Sequence, residues 1–118
     1  MEDGRPITSA IYYLLGAGGR SHWHRIDAVE MWHHYAGAPL DLCLSADGLT
    51  SEVIELGSDL SAGQRPQAVV PIGVWQSAVN HADHVTLVGC TVSPAFEFAG
   101  FELAPPDWEP GAGLPVVS

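Results

Sequence analysis

Positive charge is what this chain has least of: 4 basic residues stand against 14 acidic ones, a formal net charge of −10. Such a chain is repelled by phosphate backbones and by anionic lipid surfaces, so nucleic acid and membrane are excluded as partners. Charge of either sign is scarce, at 15% of residues against 47% hydrophobic. That balance is not the composition of a disordered chain, and it implies that a partner subunit covers part of the surface. Cysteine is nearly absent. Cys43 and Cys90 lie inside the apolar runs Leu42-Cys43-Leu44 and Val88-Gly89-Cys90, where they read as small buried hydrophobes in a reducing compartment. No apolar run approaches the length of a bilayer span. The opening Met1-Glu2-Asp3-Gly4-Arg5 is acidic and lacks the apolar stretch of a signal peptide. A soluble cytoplasmic protein is the expectation.

Helix-period patterns are scarce too, while glycine (13) and proline (9) cut the chain into short segments. Ser9 to Leu15, His22 to Ile26, Val29 to Tyr35 and Pro39 to Ser45 read as strands. Ala46-Asp47-Gly48 is a hairpin signal, and Glu52 to Leu56 follows it. Gln67 to Val70 leads into a turn at Pro71-Gly73, Val74 to Val79 leaves it, and Val85 to Val92 and Phe96 to Leu103 complete the set. About nine short strands separated by turn signals predict an all-β sandwich or barrel in a single domain, residues 1–104. Beyond it, Pro105-Pro106 and Pro110-Gly111-Ala112-Gly113 mark residues 105–118 as a Pro/Gly-rich tail, either loose or draped over a neighbouring subunit.

The chemistry is concentrated between Gly16 and Gly37, which hold His22, His24, Glu30, His33 and His34. Side chains alternate along a strand, so His22 and His24 share one side while Trp23 and Arg25 take the other. Parity with Glu30 puts Trp32 and His34 inward and Met31, His33 and Tyr35 outward. A bulge would reverse this, which leaves His33 and His34 as equal candidates for an interior pocket.

The spacings resemble the two motifs of the cupin superfamily. The first reads Gly16-x5-His22-x-His24-x5-Glu30-x6-Gly37, one residue longer before the glutamate than the family's pattern. The second reads Pro71-x-Gly73-x2-Gln76-x3-Asn80, with Gln76 where the pattern has histidine and with Gly63 displaced two residues upstream. A closer similarity runs from Ser9 to Leu103. It includes Glu30-Met31-Trp32-His33, Tyr35-Ala36-Gly37, Gly63-Gln64-Arg65-Pro66-Gln67, Trp75-Gln76 and Leu87-Val88-Gly89-Cys90-Thr91-Val92, and it looks like the cupin 5 (DUF985) subfamily.

The resemblance implies a double-stranded β-helix (jelly-roll) barrel with its site inside. It implies a divalent transition metal (Fe, Mn, Ni or Zn) held by His22, His24, Glu30 and Gln76, a donor set whose types suit those ions. The alternative is a metal-free polar pocket in which His24 and Glu30 bond each other. His24, Glu30 and Tyr35 are the catalytic candidates, with Tyr13 as a second possible proton donor. Arg25, His34, Arg65 and Trp32 are the candidates for holding substrate, since an arginine grips an anion bidentately. Three functions are compatible: a metal-dependent isomerase, cyclase or oxygenase; a metal-free sugar- or keto-acid epimerase or isomerase with a histidine base; and a non-catalytic metabolite binder. Members of the superfamily commonly pair sheet edges, so a homodimer is expected.

Overall fold

The computed structural model describes residues 4–111. Nine strands run in chain order: β1 (Ser9–Leu15), β2 (Arg20–Ile26), β3 (Val29–Gly37), β4 (Leu40–Ser45), β5 (Glu52–Leu56), β6 (Gln67–Val70), β7 (Trp75–Val79), β8 (Thr86–Ser93) and β9 (Phe101–Leu103). They form a four-stranded sheet, β1-β8-β3-β6, facing a five-stranded sheet, β5-β4-β7-β2-β9. All ladders between these strands are antiparallel. No helix among the described residues is long and apolar enough to cross a membrane. The final strand is shorter than the sequence suggests: Phe98–Gly100 turns as a 3₁₀ segment, and pairing with β2 starts only at Phe101.

The core fills one end of the sandwich. On β4, Leu40, Leu42 and Leu44 are buried while Asp41 and Cys43 between them are not. That alternation is the signature of a strand with one covered face, and each leucine contributes on the order of 2 kcal/mol by leaving water. Leu15, Leu56, Val70, Ala78 and Val88 pack against them.

Three motif residues shape the loops that carry the site. Gly37 has φ 84° and lies so close to β8 that a Cβ there would run into the Val85 carbonyl oxygen; only glycine fits. Gly73, at φ 76°, lets the chain reverse after Pro71, with the Val74 N–H donating to the Pro71 carbonyl at 3.2 Å. Asn80 is fully buried, and its amide donates to the carbonyls of Leu15, Gly16 and His84 while its oxygen accepts from the Ala82 N–H. It ties the β1–β2 loop to the β7–β8 loop.

A second apolar cluster covers the outer face of the five-stranded sheet. Trp23 and Trp75, facing away from the interior, meet Trp108 at centroid distances of 5.9 and 5.0 Å. The part of the tail up to residue 111 therefore lies on the chain's own sheet, and residues 112–118 fall outside the described residues.

Candidate functional site

The end of the sandwich opposite the leucine core is open. There the first half of β1, most of β2, the start of β3, the end of β8 and the Phe96–Leu103 segment enclose a cavity of about 330 Å³, within the usual range for small-molecule sites. Ile11 and Leu103, both more than half exposed, stand at its mouth. Its polar wall is His22, His24, Glu30, Tyr13 and two serines, Ser9 and Ser21. The rest is apolar or aromatic.

A bulge in β2 between Ser21 and His24 and the alternation after it turn His22, His24 and Ile26 inward. The Nδ1 of His24 lies 2.8 Å from the His22 carbonyl oxygen. A carbonyl only accepts, so Nδ1 carries the hydrogen and, in the neutral ring, the lone pair is on Nε2. The ring is braced by stacking on Phe101 at 5.5 Å. The same argument fixes His22, whose Nε2 donates to the Pro105 carbonyl at 2.8 Å. Tyr13 lines the wall edge-on to Trp32, 6.2 Å between centroids.

Behind the wall runs a buried chain of hydrogen bonds. The Trp32 Nε1–H donates to Gln76 Oε1 at 2.9 Å, and Gln76 Nε2 donates to Glu30 Oε1 at 2.8 Å. Gln76 is wholly buried and Glu30 nearly so. Burial, and next the charge and hydrogen bonding of Glu30, push the neighbouring Cys90 thiol above the ordinary thiol range, so Cys90 stays protonated and is no nucleophile. Both cysteines are free thiols.

A divalent metal does not fit these donors as they stand. Both ends of the Gln76 amide are taken, which leaves His22 Nδ1 and His24 Nε2 as the open nitrogen donors, and among the described residues no three His, Cys, Asp or Glu side chains converge as ligands.

His22, His24, Glu30, Trp32 and Tyr13 thus meet at one cavity with Gln76 directly behind Glu30, and the other expected residues do not. Tyr35 is the extra residue of a β3 bulge between His34 and Ala36; its ring lies over Gly89 on the outer face, stacked on His33. His34 keeps the parity of Trp32 but spends its Nε2 on the Ala38 carbonyl at 2.9 Å, and it does not line the cavity. Arg25 points outward, as alternation requires, pairing with Glu102 at 2.8 Å and lying 4.5 Å over the Trp75 ring. Arg65 sits exposed beside β5, its backbone bonded to Glu55 and Gly57. The sequence reading passed over Cys90, Phe96 and Phe101. These are apolar-type residues whose place at the cavity comes from topology, and nothing in their local pattern marks it.

Comparison with known proteins agrees with this architecture. The family model described as Cupin superfamily (DUF985) matches residues 1–104. A solved structure from Shewanella oneidensis is 43% identical, with a TM-score of 0.80 over 85% of this chain and 63% of its own, so the chain spans less than two thirds of that relative. A hypothetical protein from Leishmania major is 28% identical, with a TM-score of 0.76 over 86% of this chain and 68% of its own. A dTDP sugar isomerase from Desulfovibrio desulfuricans shares the fold at 16% identity and a TM-score of 0.72, over 86% of this chain and 67% of its own. No curated protein matches. Two facing antiparallel sheets, the two glycine-framed motifs and a family match over nearly the whole chain lead to one assignment: this protein belongs to the cupin 5 (DUF985) family of the cupin superfamily.

Proposed function

We propose that the cavity is the site of a metal-independent proton transfer on a small carbonyl compound, of the isomerase type. One observation carries the reading: the His22 carbonyl holds the hydrogen of His24 on Nδ1, which leaves the Nε2 lone pair as the base. In this scheme His24 Nε2 takes a proton from the carbon next to a carbonyl. Tyr13 donates a hydrogen bond to the oxygen as it gains enolate character, and the imidazolium returns a proton to the enolate carbon, which restores the carbonyl. Where that carbon carries a hydroxyl, the proton can go instead to the former carbonyl carbon while the hydroxyl proton moves to the enolate oxygen, so that carbonyl and hydroxyl exchange places. The Phe101 stack and the His22 bond keep the ring from turning during the exchange. That one protein of the same fold is a dTDP sugar isomerase supports the type of chemistry by analogy alone.

Deuterium uptake from solvent into neutral ketones and unphosphorylated ketosugars, followed by NMR, tests it. The wild-type protein, stripped with chelator, is expected to catalyse the exchange, and His24→Gln to slow it about 100-fold or more. Exchange that needs added Fe, Mn, Ni or Zn and disappears with His22→Ala would return the site to the metal-dependent reading.

A further inference from the structure

We infer that the cavity selects an uncharged small molecule with an apolar body, and rejects phosphate- and carboxylate-bearing compounds. The inference rests on the proton-transfer site described above and concerns what that site admits. The chain has no lysine, and its four arginines are Arg5, Arg20, Arg25 and Arg65. None of them lines the cavity. Arg5 is paired with Asp27 and Glu97, and Arg25 with Glu102. Arg20 and Arg65 are exposed elsewhere on the molecule. The segments beyond the described residues, 1–3 and 112–118, contain no arginine, lysine or histidine.

The one full charge in the wall is therefore the Glu30 carboxylate, held in place by Gln76. An entering anion would lose its water, meet a like charge at low dielectric and find no cation. The imidazoles offer little compensation. On the neutral rings the N–H of His22 is committed to Pro105 and that of His24 to His22, so neither is left to donate to an anion. A neutral molecule meets none of these costs, and its body is received by Ile11, Ile26, Val92, Phe96, Phe101 and Trp32. The net charge of −10 adds a long-range bias in the same direction.

A matched pair of probes tests this. Phenylacetone and phenylpyruvate share a body and a ketone and differ by a methyl group against a carboxylate; thymidine diphosphate adds a phosphate probe. Affinities of the full chain for each are read by titration NMR. Phenylacetone is expected to bind about tenfold tighter than phenylpyruvate, or more, with thymidine diphosphate weaker still. Glu30→Gln should narrow the gap to about threefold. Leu103→Arg, an exposed mouth position where folding is not at stake, should strengthen phenylpyruvate about tenfold by supplying the missing cation. Equal or tighter binding of either anion, or no binding of phenylacetone, overturns the inference. His24→Gln separates it from the reaction: preference retained with no deuterium exchange in any protein would leave the selectivity standing and sink the proton-transfer reading.

Discussion

Gln76 carries more of the site than any other single residue. It stands where the family's second motif has a histidine, and its two ends serve different neighbours: the oxygen takes the Trp32 N–H and the nitrogen holds Glu30. A neutral imidazole also has one donor and one acceptor, but fixed on a rigid ring, so a histidine could make both bonds only where the two partners lie along its two nitrogen directions. Truncation to Gln76→Ala would leave a buried indole N–H and a buried carboxylate oxygen without partners. We expect a loss of about 2–4 kcal/mol, read from urea denaturation, whereas an unchanged midpoint would mean that water replaces the amide. The residue types of this network stand in the sequence; its bonds do not. His22 and Pro105 meet across 83 positions and Gln76 and Glu30 across 46, separations over which a local pattern carries no information about which atom meets which.

Strands were legible where alternation is strong. On β4 the leucines declare the buried face, and on β2 the H-x-H spacing places two imidazoles on one side. The reading falters at bulges. The β3 bulge at Tyr35 adds a residue to one strand of the ladder, and neither the sequence of β3 nor that of β8 announces where it falls. The same applies to Phe96–Gly100, apolar enough for a strand yet irregular at Phe96-Glu97 and turned as a 3₁₀ segment over Phe98–Gly100, with Phe96 edge-on to Phe98. Glycines are more reliable because they report on backbone. Gly37 ends β3 in the left-handed region with its Cα against the Val85 carbonyl. Gly37→Ala therefore combines a backbone cost of about 1–3 kcal/mol with a clash that moves β8. The expected result is a destabilisation at or above the upper figure, together with weaker ligand binding, because the far end of β8 supplies Cys90 and Val92 to the cavity. A stable Gly37→Ala protein with native affinity would show that the β3–β4 corner is looser than its geometry indicates.

For the molecule as a whole, the low charge fraction and the exposed apolar surface point to the same edge. Among the described residues β1 ends the four-stranded sheet with one side unpaired, and its sequence, Ser-Ala-Ile-Tyr-Tyr-Leu-Leu, has no charge and no proline to discourage pairing. Tyr12 is 79% exposed and Leu14 63%, and the Tyr12 ring sits 5.9 Å from Tyr35 on the same outer face. β1 also forms one wall of the cavity through Ser9, Ile11 and Tyr13, so whatever pairs with this edge narrows the mouth. We propose a second copy of the chain as the occupant: it would bring an identical uncharged edge for backbone pairing and an identical aromatic face for burial. Light scattering at micromolar concentration is expected to give twice the 12.5 kDa chain mass. Tyr12→Lys, which places a charge on the pairing face without touching the cavity wall, should return a folded monomer with weaker affinity for a neutral ketone, the mouth having lost its cover. A sharp monomer of the unaltered chain would leave β1 as a bare edge and the cavity complete within one chain.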